Sequence, residues 1–283
     1  MTHRLVGPFF TASRAACYYV VMNRIGILGF GIMGEAFAAG LTRKLPHMAI
    51  VAYDAKRERV EAASRMQKLS VAQSAGDVLR ESDITILCVK PQDFTTVAGE
   101  IRDAARNRRI ISILAGRKIQ GIAEALGTDQ VARFMPSLAA TKGASLVGVS
   151  FHPSASKEMR DDSRAIAAAL GAALEIPEKL MSAMTGVSGS GLAYVLTFVH
   201  AMALGGVAAG FDYPTALSVA IAGLEGAASL LKDGTHPLEL ASRVISPAGT
   251  TIQGVRALER GGFTAAVMEA VEAAARKATE LEG

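Results

Sequence analysis

The sequence predicts an α/β fold, a doubly wound parallel sheet followed by an all-helical C-terminal part, and three observations carry the prediction. Short, nearly continuous apolar runs alternate with helix-compatible stretches from residue 24 to about 177. The first of these runs leads into a glycine-rich turn and then a helix. After Pro177 the strand-like runs cease and every remaining segment reads as helix. Buried strands alternating with helices form a parallel sheet covered on both faces.

Residues 1–21 precede the first strand and contain Arg4, Arg14 and a short apolar run at 15–21. A targeting segment is one reading, but the run is short and lacks a small-residue cleavage pattern. The plainer reading, an unstructured extension ahead of a start at Met22, is preferred.

The first strand, 24–28, runs into Gly29-Phe30-Gly31-Ile32-Met33-Gly34, a full G-x-G-x-x-G, and a helix over 35–41. Gly29 permits the tight turn, Gly31 lets the backbone approach a pyrophosphate, and Gly34 lets helix and strand pack closely. The helix N-terminus favours the negative charge of that group. Among 28 glycines the motif alone is weak. Its flanks fit, however, and Asp54 follows Gly34 by 20 residues, where an acid meets the adenosine ribose. A Rossmann-type dinucleotide site, lined by Gly29, Phe30, Gly31, Ile32, Met33, Gly34 and Asp54, is expected over a turn that binds nothing.

Further strands are expected at 49–53, 84–89, 110–114, 131–135 and 145–149, with helices between them such as 56–68 and 156–170. Ligands of such sheets bind at the carboxyl ends of the strands. The residues after two of them, Lys90-Pro91 and Ala115-Gly116, therefore join the cofactor set. At the 2′ position Asp54 favours NAD, while Lys56 and Arg57 offer the cations that accommodate NADP. Asp54 has the position and the basic pair only the neighbourhood, so NADH is expected to be used well. The plainer reading of Asp54 is a cap on the helix starting near Lys56.

From 181 to 211 the chain has no Asp, Glu, Lys or Arg, long enough to raise a transmembrane helix. Ser188-Gly189-Ser190-Gly191 interrupts its front, Gly205-Gly206 and Gly210 its back, and no basic flank accompanies it. A helix apolar all round is equally suited to a core or a subunit interface, and no membrane association is expected. Helices follow at 214–232, 237–244, 252–260 and 263–280, punctuated by Gly234, Gly249 and Gly261-Gly262. So apolar a half needs an intertwined oligomer, a homodimer at least. The division expected is an extension over 1–21, a dinucleotide-binding domain over 22–177, and a helical substrate and dimerisation domain over 178–283.

Half of the residues are hydrophobic and 20% are charged, which excludes a disordered chain. The net charge of +4 is scattered and only 5% of residues are aromatic, so nucleic acid is not the expected partner. Cys17 and Cys88 give neither a disulfide framework nor metal spacing, which fits the cytoplasm. No catalytic triad, P-loop or metal-ligand cluster occurs, and no metal is expected. With a dinucleotide as reagent, the protein need supply only position and electrostatics. A second candidate site is Ser246-Pro247-Ala248-Gly249-Thr250-Thr251, which opens a helix and offers N–H groups and hydroxyls to a small anion. An ordinary Ser/Thr cap is as good a reading of that pattern alone.

Taken together, G-F-G-I-M-G, C-V-K-P at 88–91, A-G at 115–116, R-F-M-P at 133–136, T-G-V-S-G-S-G at 185–191 and V-I-S-P-A-G-T-T-I at 244–252 resemble pyrroline-5-carboxylate reductases. The likeness runs from about Met22 to Leu281. It implies NADPH- or NADH-dependent reduction of the cyclic imine 1-pyrroline-5-carboxylate to L-proline, the last step of proline biosynthesis. It assigns Ser246, Ala248, Gly249, Thr250, Thr251 and Met135 to the substrate, and Gly31, Ile32, Met33, Val89, Lys90 and Pro91 to the cofactor. The chain departs from the family pattern at Ser137-Leu138-Ala139, at Leu192, and at Ala248 within S-P-G-G-T-T. A carboxylate-bearing imine protonates readily in water, so no strong protein acid is needed, and Thr251 is expected to orient the ring nitrogen. The alternatives are a reductase of another imine or 2-oxo acid on the same scaffold, or a non-catalytic dinucleotide-binding regulator. The related 3-hydroxy acid dehydrogenases place a catalytic lysine on the long helix after the Rossmann domain, and 181–211 has none.

Overall fold

The computed structural model describes residues 22–65 and 68–282, so the expectations for 1–21 lie outside it. The described residues form two compact units, with the boundary between Leu192 and Ala193 and again between Ala270 and Val271.

The first unit is built on an eight-stranded sheet in the order β3-β2-β1-β4-β5-β6-β7-β8. Its strands are β1 Arg24–Leu28, β2 Ala49–Tyr53, β3 Leu69–Val71, β4 Ile84–Leu87, β5 Arg109–Ser112, β6 Val131–Met135, β7 Ser145–Phe151 and β8 Gly171–Glu175. The helices between them are α1 Ile32–Lys44, α2 Arg57–Ser64, α3 Ala75–Glu81, α4 Phe94–Ala105, α5 Ile119–Leu126 and α6 Lys157–Ala169. Central strands are apolar because both faces are covered. Phe37 and Leu41 of α1 and Met159 and Ile166 of α6 pack with Ile25, Ile27 and Ile86. Val78, Leu79, Ile101 and Ile122, from α3, α4 and α5, pack with Leu28, Leu87 and Ile110 in a second cluster. The expected sheet with helices on both faces is observed, and the strand order reverses between β1 and β4.

Pairing is parallel except between β6 and β7, which run antiparallel, a correction to the all-parallel sheet expected. The reason is length. Only a short 3₁₀ turn, Leu138–Lys142, joins them, whereas a parallel return needs a crossover of a dozen or more residues. Two edge strands escaped the sequence reading. β3 has three residues, and the G-A-A-L-E of β8 lies mostly exposed on the edge, so neither shows the apolar run of a central strand. β4 and β5 end two residues earlier than expected, at Leu87 and Ser112. After β5 the Leu114 amide donates to the Ser112 hydroxyl, turning the chain.

Helices α7 Met181–Met184, α8 Gly191–Ala208, α9 Tyr213–Leu231, α10 Pro237–Val244, α11 Thr250–Arg260 and α12 Phe263–Leu281 make the C-terminal half. At the expected interruption, Ser188–Gly191, the regular α-helix gives way without the chain leaving a helical path. Between α7 and α8 the chain forms a π-helical turn, Thr185–Gly189, with the Ser190 amide donating to the Thr185 carbonyl. Gly205 and Gly206 do not end α8. A Cβ on Gly206 would come within 2.9 Å of the Ala216 Cβ, so the glycine allows α8 and α9 to approach closely. Gly210, at φ +109°, ends the run, and the Phe211 amide closes it on the Gly206 carbonyl. By length and composition, Glu178–Ala208 and Tyr213–Leu231 suffice to cross a membrane, and little of either is buried within one protomer.

Candidate cofactor and substrate sites

The glycine turn follows β1 at the point where the strand order reverses, the place where open α/β sheets bind ligands. Each glycine there has a distinct structural cause. Gly29, at φ +94°, backs onto the chain after β4, where a Cβ would lie 2.7 Å from the Cys88 carbonyl carbon. A side chain on Gly34 would overlap the carbonyl oxygen of Gly29. Around Gly31 nothing lies within 4 Å of an added Cβ. Gly31 is also the N-cap of α1, and no side chain caps that helix end. Open space beside uncapped first-turn amides fits a dinucleotide pyrophosphate. Ile32, 65% exposed at the tip of the turn, offers an apolar surface beside it.

Asp54 does not cap α2, whose N-cap is Lys56; its carboxylate accepts two backbone amides. Its Oδ2 accepts the Phe30 amide at 2.7 Å and its Oδ1 accepts the Lys56 amide at 2.8 Å. The carboxylate therefore ties the end of β2 to the glycine turn, and α2 begins after Lys56 without a side-chain cap. Arg57 donates to Glu61 at 2.8 Å and to Gln73 at 3.0 Å, fixing the guanidinium beside this corner.

Val89, Lys90 and Pro91 follow β4, with Lys90 exposed and Pro91 opening a 3₁₀ turn into α4. The Cys88 thiol, partly buried after β4, has its pKa raised by desolvation. Ala115 and Gly116 follow β5. Gly116 adopts φ +70° and is covered by the end of α12, since a Cβ there would lie 2.7 Å from the Leu281 carbonyl oxygen. Met135 ends β6, and its Cε would be 2.8 Å from a Cβ on Gly189 of the π-helical turn. The contacts of Leu281 join residues 165 positions apart, and no sequence signal announced them.

The second unit carries Ser246 to Thr251. Ala248 adopts φ +56°, a left-handed conformation that an L side chain tolerates at a cost of about 1–2 kcal/mol. Gly249 is the N-cap of α11, and a Cβ there would overlap the Ser246 hydroxyl. Thr250 and Thr251 form the first turn, and among the described residues neither hydroxyl has a hydrogen-bond partner. The loop thus presents uncapped amides and three hydroxyls together, a set that can bind a small carboxylate and one further polar atom. Among the described residues no group of three His, Cys, Asp or Glu is placed to hold a metal ion.

Two family profiles match the chain. One, described as pyrroline-5-carboxylate reductase dimerisation, covers residues 178–281. The other, described as NADP oxidoreductase, coenzyme F420-dependent, covers residues 24–116. The pyrroline-5-carboxylate reductase of Aquifex aeolicus is 35% identical over 264 residues, which is 93% of this chain and 98% of that protein. Among solved structures, the Streptococcus pyogenes 1-pyrroline-5-carboxylate reductase superposes with a TM-score of 0.84 at 31% identity, covering 92% of this chain and 98% of that one. The Plasmodium falciparum pyrroline carboxylate reductase, solved with NADP bound, gives 0.83 at 25% identity, with the same coverage of 92% and 98%.

Proposed function

The chain belongs to the pyrroline-5-carboxylate reductase family, and on that premise we infer that it reduces 1-pyrroline-5-carboxylate to L-proline with a reduced nicotinamide dinucleotide. The observation that carries the inference is the presence, in one chain collinear with these relatives, of the open glycine turn and the Ser246–Thr251 loop.

Gly31 and the first-turn amides of α1 would hold the pyrophosphate, with Ile32, Met33, Val89, Lys90, Pro91, Ala115 and Gly116 along its sides. When bound, the cofactor supplies the hydride. The chain's own task is to place the iminium carbon at near-attack distance, where positioning contributes heavily to rate. The amides opening α11 and the Ser246 and Thr250 hydroxyls would anchor the substrate carboxylate. The Thr251 hydroxyl would hydrogen-bond the ring nitrogen, which is protonated in water before reaction. Met135 would contribute apolar surface at the ring. No protein group needs to donate a proton with a shifted pKa, and no metal is needed.

NADH is proposed to be accepted well, because Asp54 keeps a negative charge at the corner where the adenosine ribose sits. Lys56 and Arg57 leave NADPH usable. The division proposed is a dinucleotide-binding domain over 22–177 and a substrate and dimerisation domain over 178–283. A second copy of the chain is proposed to cover the exposed apolar faces of α8 and α9, giving a homodimer at least, in the cytoplasm. A groove of about 480 Å³ beside α8, lined by Tyr194, Phe198, Met202, Leu258, Phe263 and Val267, adds to the surface a partner would fill.

The test is oxidation of NADH and NADPH with 1-pyrroline-5-carboxylate and a panel of other imines and 2-oxo acids. Turnover of the cyclic imine above all others is expected. Robust turnover of an acyclic 2-oxo acid, with none of the cyclic imine, would overturn the reading.

A further inference from the structure

Arg133 is a buried cation outside the set considered so far. It lies on β6, 5% exposed, with its side chain leaving the strand on the same face as that of Met135 two residues on. A guanidinium so enclosed requires anionic partners, and it has two from distant parts of the chain. Nη1 is 3.4 Å from Glu178 Oε1, in the turn that precedes α7. Nη2 donates to Glu282 Oε1 at 2.6 Å, one residue past the end of α12. The Glu178 oxygen also accepts the Ile119 amide at 2.6 Å, at the start of α5.

These contacts converge on the Ala115-Gly116 loop. Ile119 lies three residues beyond Gly116, so the Glu178 bond fixes the downstream end of the loop. Leu281, next to Glu282, covers Gly116 closely enough that no side chain fits there. Gly116 thus has its position set from two directions by carboxylates that share one guanidinium. We propose that Arg133 is a positioning residue for the reaction, holding the Ala115-Gly116 wall of the cofactor site through Glu178 and Glu282. The role rests on the proposed function, since it presupposes that this loop lines a bound dinucleotide.

Glu282 is the partner to alter, because its loss leaves Arg133 paired with Glu178. In the full-length protein, Glu282→Ala should melt cooperatively yet bind reduced cofactor about tenfold more weakly, as misplacement of a binding wall does. KM for the imine should move by no more than about threefold, and Glu282→Gln, which keeps an acceptor oxygen for Arg133, should restore cofactor binding to within about threefold of wild type. Cofactor binding by a folded Glu282→Ala within about twofold of wild type overturns the role. If Glu282→Ala fails to fold, Glu178→Ala takes its place, since it frees the Ile119 amide downstream of Gly116 and leaves Arg133 paired with Glu282. Several-fold weaker cofactor binding is expected there, and unchanged binding overturns the role. A wild-type protein that binds neither NADH nor NADPH would instead overturn the proposed function itself.

Discussion

One oxygen of Asp54 lies 2.7 Å from the Phe30 amide and the other 2.8 Å from the Lys56 amide, so at the residue scale this carboxylate first shapes the turn. Its charge remains, and a 2′-phosphate brought to this corner meets it. At a separation of about 5–8 Å in a partly solvated site, that repulsion is on the order of 1 kcal/mol. Asp54→Asn keeps the side-chain shape and one of the two acceptors, a loss common to both cofactors, and should raise the kcat/KM ratio of NADPH to NADH by about 5- to 10-fold. Steady-state kinetics with both cofactors measure it, and an unchanged ratio would remove Asp54 from cofactor choice. The spacing from Gly34 places Asp54 just after β2 and beside the glycine turn, but spacing cannot say which way a side chain turns. Thr251 is equally visible as part of a motif, and it lies in the first turn of α11. If Thr251 bonds the ring nitrogen as proposed, Thr251→Ala should lower kcat by about 1–3 kcal/mol of barrier. Unchanged kcat and KM would take it out of the mechanism.

At the scale of elements, the long apolar run after Pro177 is read correctly as helix ended at Gly210 and incorrectly as broken at Gly205-Gly206, while Ser188–Gly191 falls where a π-helical turn joins α7 to α8. Glycine in a helix reads from sequence as a break, because its cost of about 1 kcal/mol relative to alanine is all that local pattern can register. What sequence cannot register is a neighbouring helix. Gly206 faces Ala216 so closely that α8 and α9 touch almost backbone to backbone, and this contact accounts for the glycine. Likewise the β6–β7 reversal follows from a connection too short for a crossover, a length that was visible in the sequence. The departure at Ser137-Leu138-Ala139 falls in this same connection. Gly206→Val tests the helical reading. It forces α8 and α9 apart and should destabilise the protein by about 1–3 kcal/mol, as overpacking does. Light scattering at micromolar concentration should show wild type as a dimer or larger and the variant shifted toward monomer. A monomeric wild type would contradict the proposed cover of α8 and α9.

At the scale of the whole molecule, the two groups of site residues belong to different compact units: the glycine turn and strand ends to one, the Ser246–Thr251 loop to the other. Each was legible in the sequence as a local motif, because a glycine turn or a helix-opening loop is specified within about ten residues. The contacts that hold the Ala115-Gly116 strand end were not, because Arg133 with Glu282 and Gly116 with Leu281 are long-range pairs. In the proposed reaction a hydride passes from the cofactor to the imine carbon of a ring held by its carboxylate. The direct measurement is incubation of the full-length protein with 1-pyrroline-5-carboxylate and NADH stereospecifically deuterated at nicotinamide C4, each epimer in turn, followed by mass spectrometry of the product. The account predicts L-proline carrying one deuterium at C5 from one epimer and none from the other. Oxidation of the cofactor without proline, or proline without deuterium from either epimer, would contradict it.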